Sequence, residues 1–90
     1  MLKLFRTKTY IKDYRKLKLS DKLYTKYVLY VSTLLKEQPL PAEALDHQLK
    51  GSMKNFRELH ISGDLLLIYT VDDGILKLVR IGTHSELFKS

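Results

Sequence analysis

The segment Leu65-Leu66-Leu67-Ile68-Tyr69-Thr70-Val71, followed by Asp72-Asp73-Gly74, decides how this chain folds. An apolar run of this length is typical of a central strand that is covered on both faces of a sheet. Asp-Gly is a strong hairpin signal, because it suits the positive φ angles of a type I′ turn. We therefore expect residues 75–81 to return as the antiparallel partner strand.

A further strand is predicted just before this segment, over residues 56–61. Side chains along a strand alternate between the two faces of a sheet. One face would carry Phe56, Glu58 and His60, and the other Arg57, Leu59 and Ile61. The tight connection Ser62-Gly63-Asp64 leads into the apolar strand, so the three strands form an antiparallel meander.

The first half of the chain is predicted to be mainly helical. Residues 2–6 suit a short strand, and residues 8–18 then turn helical. Their apolar positions are Tyr10, Ile11, Tyr14 and Leu17. Ser20-Asp21 can cap a second helix, which should end near Glu37 because the prolines that follow cannot continue it.

Five of the six tyrosines fall in these two helices, at positions 10, 14, 24, 27 and 30. Their helical spacing favours core and helix packing over an RNA-stacking platform. The short connection between the helices predicts an antiparallel hairpin. The fold class is therefore α+β, in the order β-α-α-β-β-β, with an antiparallel sheet packed on a helical hairpin in one domain spanning residues 1–90.

The formal charge of this 90-residue chain is +6, which favours RNA, DNA, anionic lipid or an acidic protein as a partner, although a basic surface is also common without one. The absence of cysteine excludes disulfides and thiolate metal sites. No apolar stretch is long enough to be a signal peptide or to cross a bilayer, so the cytoplasm is the expected compartment.

All three histidines lie in polar clusters of the second half, at His47, His60 and His84. Metal-independent RNA cleavage needs a base for the 2′-hydroxyl, an acid for the 5′-oxygen, and cations beside the phosphorane. Histidine can fill the first two roles near neutral pH. The cations available are Lys50, Lys54, Arg57 and Arg80.

Each histidine also has an ordinary structural interpretation, as a solvated loop, strand or turn residue. A metal site made of histidines with Asp46 or Asp64 is the chemical alternative. The spacings match no metal motif such as His-Glu-x-x-His, so no metal or other cofactor is predicted.

Read together, the three clusters resemble the YafQ family of bacterial toxins within the RelE/ParE superfamily. The matching segments are 46–51 (Asp-His-Gln-Leu-Lys-Gly), 56–60 (Phe-Arg-Glu-Leu-His) with Asp64, and 82–88 (Gly-Thr-His-Ser-Glu-Leu-Phe). The resemblance covers the whole chain. It implies a type II toxin–antitoxin endoribonuclease that cuts messenger RNA, with the ribosome and an acidic, neutralising antitoxin protein as further expected partners and no membrane.

The resemblance also implies roles for individual residues. His47, His60 and His84 would be the catalytic histidines, Asp64 the important aspartate, and Phe88 the aromatic residue that helps to hold the substrate. Arg80 would stabilise phosphate, and Glu58 fills the acidic position two before the second histidine. We expect His84 to be the general acid, with His47 or His60 as the base.

The chain departs from the family pattern at Gly63, where the family usually has proline before the turn aspartate. Glycine loosens the backbone there, which affects the placement of Asp64. Two alternatives remain open at this point: a non-catalytic toxin of the ParE kind that inhibits DNA gyrase, and a plain nucleic-acid-binding domain.

Overall fold

The fold is described by a computed structural model that covers residues 1–88. Within these residues, five strands and three helices follow one another. They are β1 (Lys3–Arg6), α1 (Lys8–Arg15), α2 (Asp21–Leu35), β2 (His47–Gln48), β3 (Arg57–Ser62), β4 (Leu65–Asp72), β5 (Ile75–Gly82) and α3 (His84–Leu87). Short 3₁₀ turns occupy Ala42–Ala44 and Gly51–Met53.

The strands form one sheet in the order β1-β5-β4-β3-β2, so the apolar strand β4 is central as predicted. Residues Leu65–Tyr69 are all buried. The meander of β3, β4 and β5 is antiparallel, and its second turn has positive φ angles at Asp73 (51°) and Gly74 (74°). Both sequence predictions for this hairpin are confirmed.

The sheet is mixed rather than purely antiparallel, which corrects one detail of the prediction. β1 pairs with β5 in parallel, with Lys3 opposite Ile75 and Arg6 opposite Leu78. Strand direction depends on how the whole chain between the two strands returns, and the alternating pattern of β1 carries no information on that. The predicted α+β class and the packing of the sheet on a helical hairpin are confirmed.

Both helices of the hairpin begin at side-chain caps. Thr7 Oγ1 accepts a hydrogen bond from the Tyr10 amide, and Ser20 Oγ accepts one from the Leu23 amide. The first helix ends at Arg15 instead of residue 18, because the chain tightens into turns there. The second helix ends two residues before Glu37, whose φ of 55° lies outside the helical region.

The core lies between the helical hairpin and one face of the sheet. Tyr10, Tyr30 and Leu34 of the helices pack in one cluster with Leu59, Leu67, Leu78 and other sheet residues. Tyr10 and Tyr30 are 1% exposed, which agrees with a packing role for these tyrosines, whereas Tyr24 is half exposed. Within residues 1–88, no helix combines the length and the apolar character that a membrane span requires.

Candidate active site

The two-residue strand β2, which sequence reasoning missed, places the first histidine. His47 pairs across the strands with Glu58, and antiparallel partners of this kind project from the same face of a sheet. His47 Nε2 lies 3.3 Å from Glu58 Oε2. His47 Nδ1 lies 2.7 Å from the carbonyl oxygen of Leu45, which can only accept, so Nδ1 carries a proton.

Glu58 connects this histidine to the second one. His60 follows Glu58 by two residues on β3 and therefore shares its face, and its Nε2 lies 3.7 Å from the same Oε2 atom. Only 8% of the Glu58 side chain is exposed, and its Oε1 atom is buried without a hydrogen bond from residues 1–88. A buried carboxylate is thus held between two imidazole rings.

The strand register also shows how far His60 lies from the end of β5. His60 pairs with Leu66, and Leu66 pairs with Gly82, so the three residues form one row across the sheet. Strands lie about 4.8 Å apart, which puts the His60 and Gly82 backbones about 10 Å from each other. His84 follows Gly82 by two residues, so the end of β5 brings the third histidine to the same end of the sheet.

His84 begins helix α3, which a reciprocal capping box fixes at its start. Thr83 Oγ1 accepts a hydrogen bond from the Glu86 amide, and Glu86 Oε1 accepts one from the Thr83 amide at 2.8 Å. Gly82 allows close contact here, because a Cβ at this position would lie 3.0 Å from Glu86 Oε1. The pattern Thr-x-x-Glu was a readable signal for this helix.

Two further predicted site residues lie beside His84. The Asp64 carboxylate is 3.5 Å from the His84 amide nitrogen, at the outer limit of a hydrogen bond. The Phe88 ring stacks obliquely on the imidazole, with 4.9 Å between the centroids. The structure therefore brings Asp64, His84 and Phe88 together, despite glycine at position 63.

The predicted cationic residues divide into paired and free groups. Arg57 donates to the Asp46 carboxylate at 3.2 and 3.3 Å, and Tyr69 donates to the same group at 2.5 Å. Lys50 and Lys54 flank the second 3₁₀ turn, are exposed, and form no ion pair within residues 1–88. Lys50 and Lys54 are therefore the unpaired cations nearest in sequence to His47.

Arg80 is held by a residue of the first helix. Its guanidinium donates from Nε and Nη2 to the Asp13 carboxylate at 2.8 and 2.9 Å. The hydrogen bond to Asp13 raises the pKa of Arg80 above its ordinary value, and the matching bond to Asp46 does so for Arg57. Both arginines stay charged, and neither is a free cation in the way the sequence suggested.

Sequence reasoning did not select two carboxylates that the structure places in or beside the site. Glu58 was noted only for its strand face and its place in a family pattern, and Asp13 was not singled out. No group of three or more His, Asp or Glu side chains within residues 1–88 is arranged to hold an ion, and Asp46 is already bound by Arg57 and Tyr69.

The chain matches known bacterial toxins over nearly its whole length. The sequence model of the family described as a bacterial toxin of type II toxin–antitoxin systems, YafQ, matches residues 2–89. The mRNA interferase toxin YafQ of Escherichia coli K12 is 46% identical over 61 residues, which span 66% of this chain and 66% of that relative.

Solved structures give the same result for the fold. A copper-bound mutant toxin from Helicobacter pylori is 45% identical, with a TM-score of 0.86 over 98% of this chain and 100% of that one. The YafQ chain of an E. coli DinJ–YafQ complex is 31% identical, with a TM-score of 0.84 over 98% of this chain and 99% of that one. The chain belongs to the YafQ family of bacterial toxins of type II toxin–antitoxin systems.

Proposed function

We propose that this toxin is an endoribonuclease that cuts messenger RNA by acid–base catalysis between His60 and His84, with no step that needs a metal ion. The buried carboxylate of Glu58 between the His47 and His60 rings is the observation that carries the proposal. The mRNA interferase activity named for the E. coli relatives supports the same reaction.

His60 fits the role of general base. Its Nε2 faces Glu58, its side chain is 23% exposed, and no hydrogen bond within residues 1–88 engages its Nδ1, which we assign to the 2′-hydroxyl. A carboxylate behind an imidazole orients the ring and stabilises the imidazolium that forms when the ring takes a proton. His47 lies on the far side of Glu58, 3.3 Å from the same carboxylate oxygen, so the carboxylate is placed against both rings.

His84 fits the role of general acid, which protonates the departing 5′-oxygen. The estimated 10 Å between the His60 and Gly82 backbones leaves room for a ribose and its phosphate between the two histidines. The Asp64 carboxylate lies 3.5 Å from the His84 amide nitrogen. The Phe88 ring packs beside the imidazole, where it also offers a face on which a base can stack.

The phosphate is stabilised by cations on either side of this gap. Arg80 lies in the row of paired residues that contains Glu58 and Ile68, so its backbone is two strands from Glu58. Lys50 and Lys54 flank the turn that follows β2 and contribute positive charge on the other side, whereas Arg57 lies on the opposite face of β3 from Glu58 and is paired with Asp46. The attraction between such cations and the phosphate grows as negative charge builds up in the transition state.

The distribution of charge suits a large RNA target. Residues 1–36 contain ten basic and two acidic residues, whereas residues 37–90 contain six basic and eight acidic residues. The excess positive charge therefore lies on β1 and the helical hairpin. We assign this surface to the phosphate backbone of a large RNA such as that of the ribosome, which places the toxin's work in the cytoplasm.

An antitoxin is the second proposed partner. An E. coli structure that is similar to this chain is a DinJ–YafQ toxin–antitoxin complex. By analogy, this toxin should bind a cognate protein with acidic segments, because its basic hairpin attracts them.

The chemistry of the RNA ends tests the reaction. Attack by the 2′-hydroxyl leaves a 5′-hydroxyl on the downstream fragment, whereas attack by a metal-bound water leaves a 5′-phosphate. We expect fragments from programmed ribosomes that accept label from a kinase without prior phosphatase treatment. We also expect a single 2′-deoxy substitution at the cut site to abolish cleavage. Fragments with 5′-phosphates, or cutting of the deoxy substrate, would rule the mechanism out.

A further inference from the structure

Asp13 makes an unusually complete set of contacts for a residue on a basic helix. It lies on α1, 67 positions before Arg80, yet its two oxygens bind Nε and Nη2 of that arginine at 2.8 and 2.9 Å. Only 11% of the Asp13 side chain is exposed. The geometry is the two-point fork that fixes the plane of a guanidinium as well as its position.

A third hydrogen bond attaches Asp13 to the edge of β5. β1 ends at Arg6, and Thr7 makes the last contacts to that edge through the carbonyl oxygens of Leu78 and Val79. Beyond Thr7, the Ile81 amide donates to Asp13 Oδ2 at 3.2 Å. The carboxylate therefore takes the place of a strand partner where β1 stops.

These contacts matter for function because of where Arg80 lies in the sheet. The register of β4 and β5 shifts between Ile68 and Tyr69, so that Ile68 lies opposite Arg80 and Tyr69 opposite Leu78. This irregularity places Arg80 in the row of paired residues that contains Glu58. Arginine has five N–H donors, and Asp13 uses two, so three remain for a phosphate.

The charge state of Asp13 agrees with a lasting ion pair between Asp13 and Arg80, which we call the Asp13 clamp. Burial raises the pKa of this carboxyl, but the hydrogen bonds from Arg80 and the Ile81 amide and the charge of Arg80 outweigh burial. The pKa is therefore below its ordinary value of 3.8, and the group is ionised at neutral pH.

We propose that Asp13 is a positioning residue for cleavage, which holds the Arg80 guanidinium in the orientation that receives the scissile phosphate. The inference rests on the proposed ribonuclease function. Asp13 touches neither the RNA nor the histidines, and it acts only through Arg80.

A double-mutant cycle on programmed ribosomes tests the proposal, with Asp13→Asn, Arg80→Ala and the double variant compared with wild type. The asparagine oxygen can still accept from the Ile81 amide and Arg80 Nε, but the amide turns a donor towards Nη2. The β5 edge therefore survives, while the two-point fork and its negative charge are lost. We expect kcat to fall up to about 100-fold in Asp13→Asn, with KM changed little, because misplacement by about 1 Å has effects of that size. Asp72→Asn, an exposed carboxylate of the β4–β5 turn, is the charge-matched control and should behave as wild type.

The double variant decides between positioning and general structural support. If Asp13 acts through Arg80, the double variant is no slower than Arg80→Ala alone. Losses that multiply, or an Asp13→Asn rate equal to that of the Asp72→Asn control, would overturn the proposal. A wild-type protein that cuts no RNA would overturn the ribonuclease function itself, which separates the two failures. Thermal unfolding of each variant confirms that folded proteins are compared.

Discussion

Oε2 of Glu58 lies 3.3 Å from Nε2 of His47, although only 8% of the Glu58 side chain is exposed. A buried carboxylate loses its hydration, and one oxygen of Glu58 is left without a hydrogen bond from the described residues. Such a group contributes little to stability, or lowers it. The proposed proton transfer gives this buried group a function on the face that carries His60.

Glu58→Gln should therefore separate activity from stability. The amide keeps the size of the side chain but cannot stabilise an imidazolium, so we expect cleavage to slow by about 100-fold. The free energy of unfolding should equal or exceed that of the wild type, because a buried charge has been removed. Urea unfolding and single-turnover cleavage measure the two quantities. A variant that cleaves at the wild-type rate would show that Glu58 takes no part.

Gly82 is predicted to control where α3 places His84. A Cβ added there would lie 3.0 Å from Glu86 Oε1 and 3.3 Å from Leu87 Cδ2, and Glu86 cannot move away without opening the capping box. We expect Gly82→Ala to reduce cleavage about 10-fold by displacing α3. Gly63→Ala is the matched control, because its Cβ would meet nothing within 4 Å. Equal rates for the two variants would contradict this role for Gly82.

The Asp13 clamp should leave a signature in the pH dependence of stability. The pKa of Asp13 is lowered in the folded state, so its contribution is present above the ordinary value of 3.8 and is lost as the pH falls through the folded value. We expect Asp13→Asn to lower the free energy of unfolding by about 1 kcal/mol at neutral pH. Thermal unfolding from pH 7 downwards should show the two proteins converging in strong acid. A difference in unfolding temperature between the two proteins that stays constant as the pH falls would contradict the Asp13 clamp.

Four tyrosines with raised pKa values are expected to limit the stability of the fold at alkaline pH. Burial raises the pKa of Tyr10, Tyr14, Tyr27 and Tyr69 above the ordinary value of 10.0. Because the fold favours their neutral forms, the associated stability is present below pH 10 and is lost as the pH rises above it.

Measuring the ionisation of tyrosine by absorbance as the pH is raised checks this prediction. The native protein should ionise fewer than its six tyrosines near pH 10, with the others ionising on unfolding. Tyr10→Phe should leave the early part of the titration unchanged. Ionisation of all six near pH 10 without loss of the native circular dichroism would contradict the prediction.

The second half of the fold was readable from the sequence because its signals are local. The apolar run of β4 and the Asp73-Gly74 turn act through neighbouring residues, and both predictions are confirmed. The parallel pairing of β1 with β5 was missed, since it depends on the path of about 70 intervening residues. β2 was missed because two residues are too few to show a period.

The polar clusters pointed to the three histidines, and the family resemblance pointed to Asp64 and Phe88. Their roles stay predictions, whereas the family prediction is confirmed over the two alternatives. The electrostatic pairing of the site could not be predicted. The partners of Arg57 and Arg80 lie 11 and 67 positions away, and no sequence pattern links Asp13 to Arg80. Contacts between residues so far apart in sequence form only when the sheet and the helical hairpin have assembled.

The central claim is that His84 is essential for RNA cleavage, and induced expression of the wild type and His84→Ala tests it most directly. Primer extension on a reporter transcript would be read in each strain, with circular dichroism of the purified proteins as the control for folding. The account predicts growth arrest and new transcript ends in the wild type alone. Arrest with the same new ends in His84→Ala, or wild-type arrest without cleavage, would contradict it.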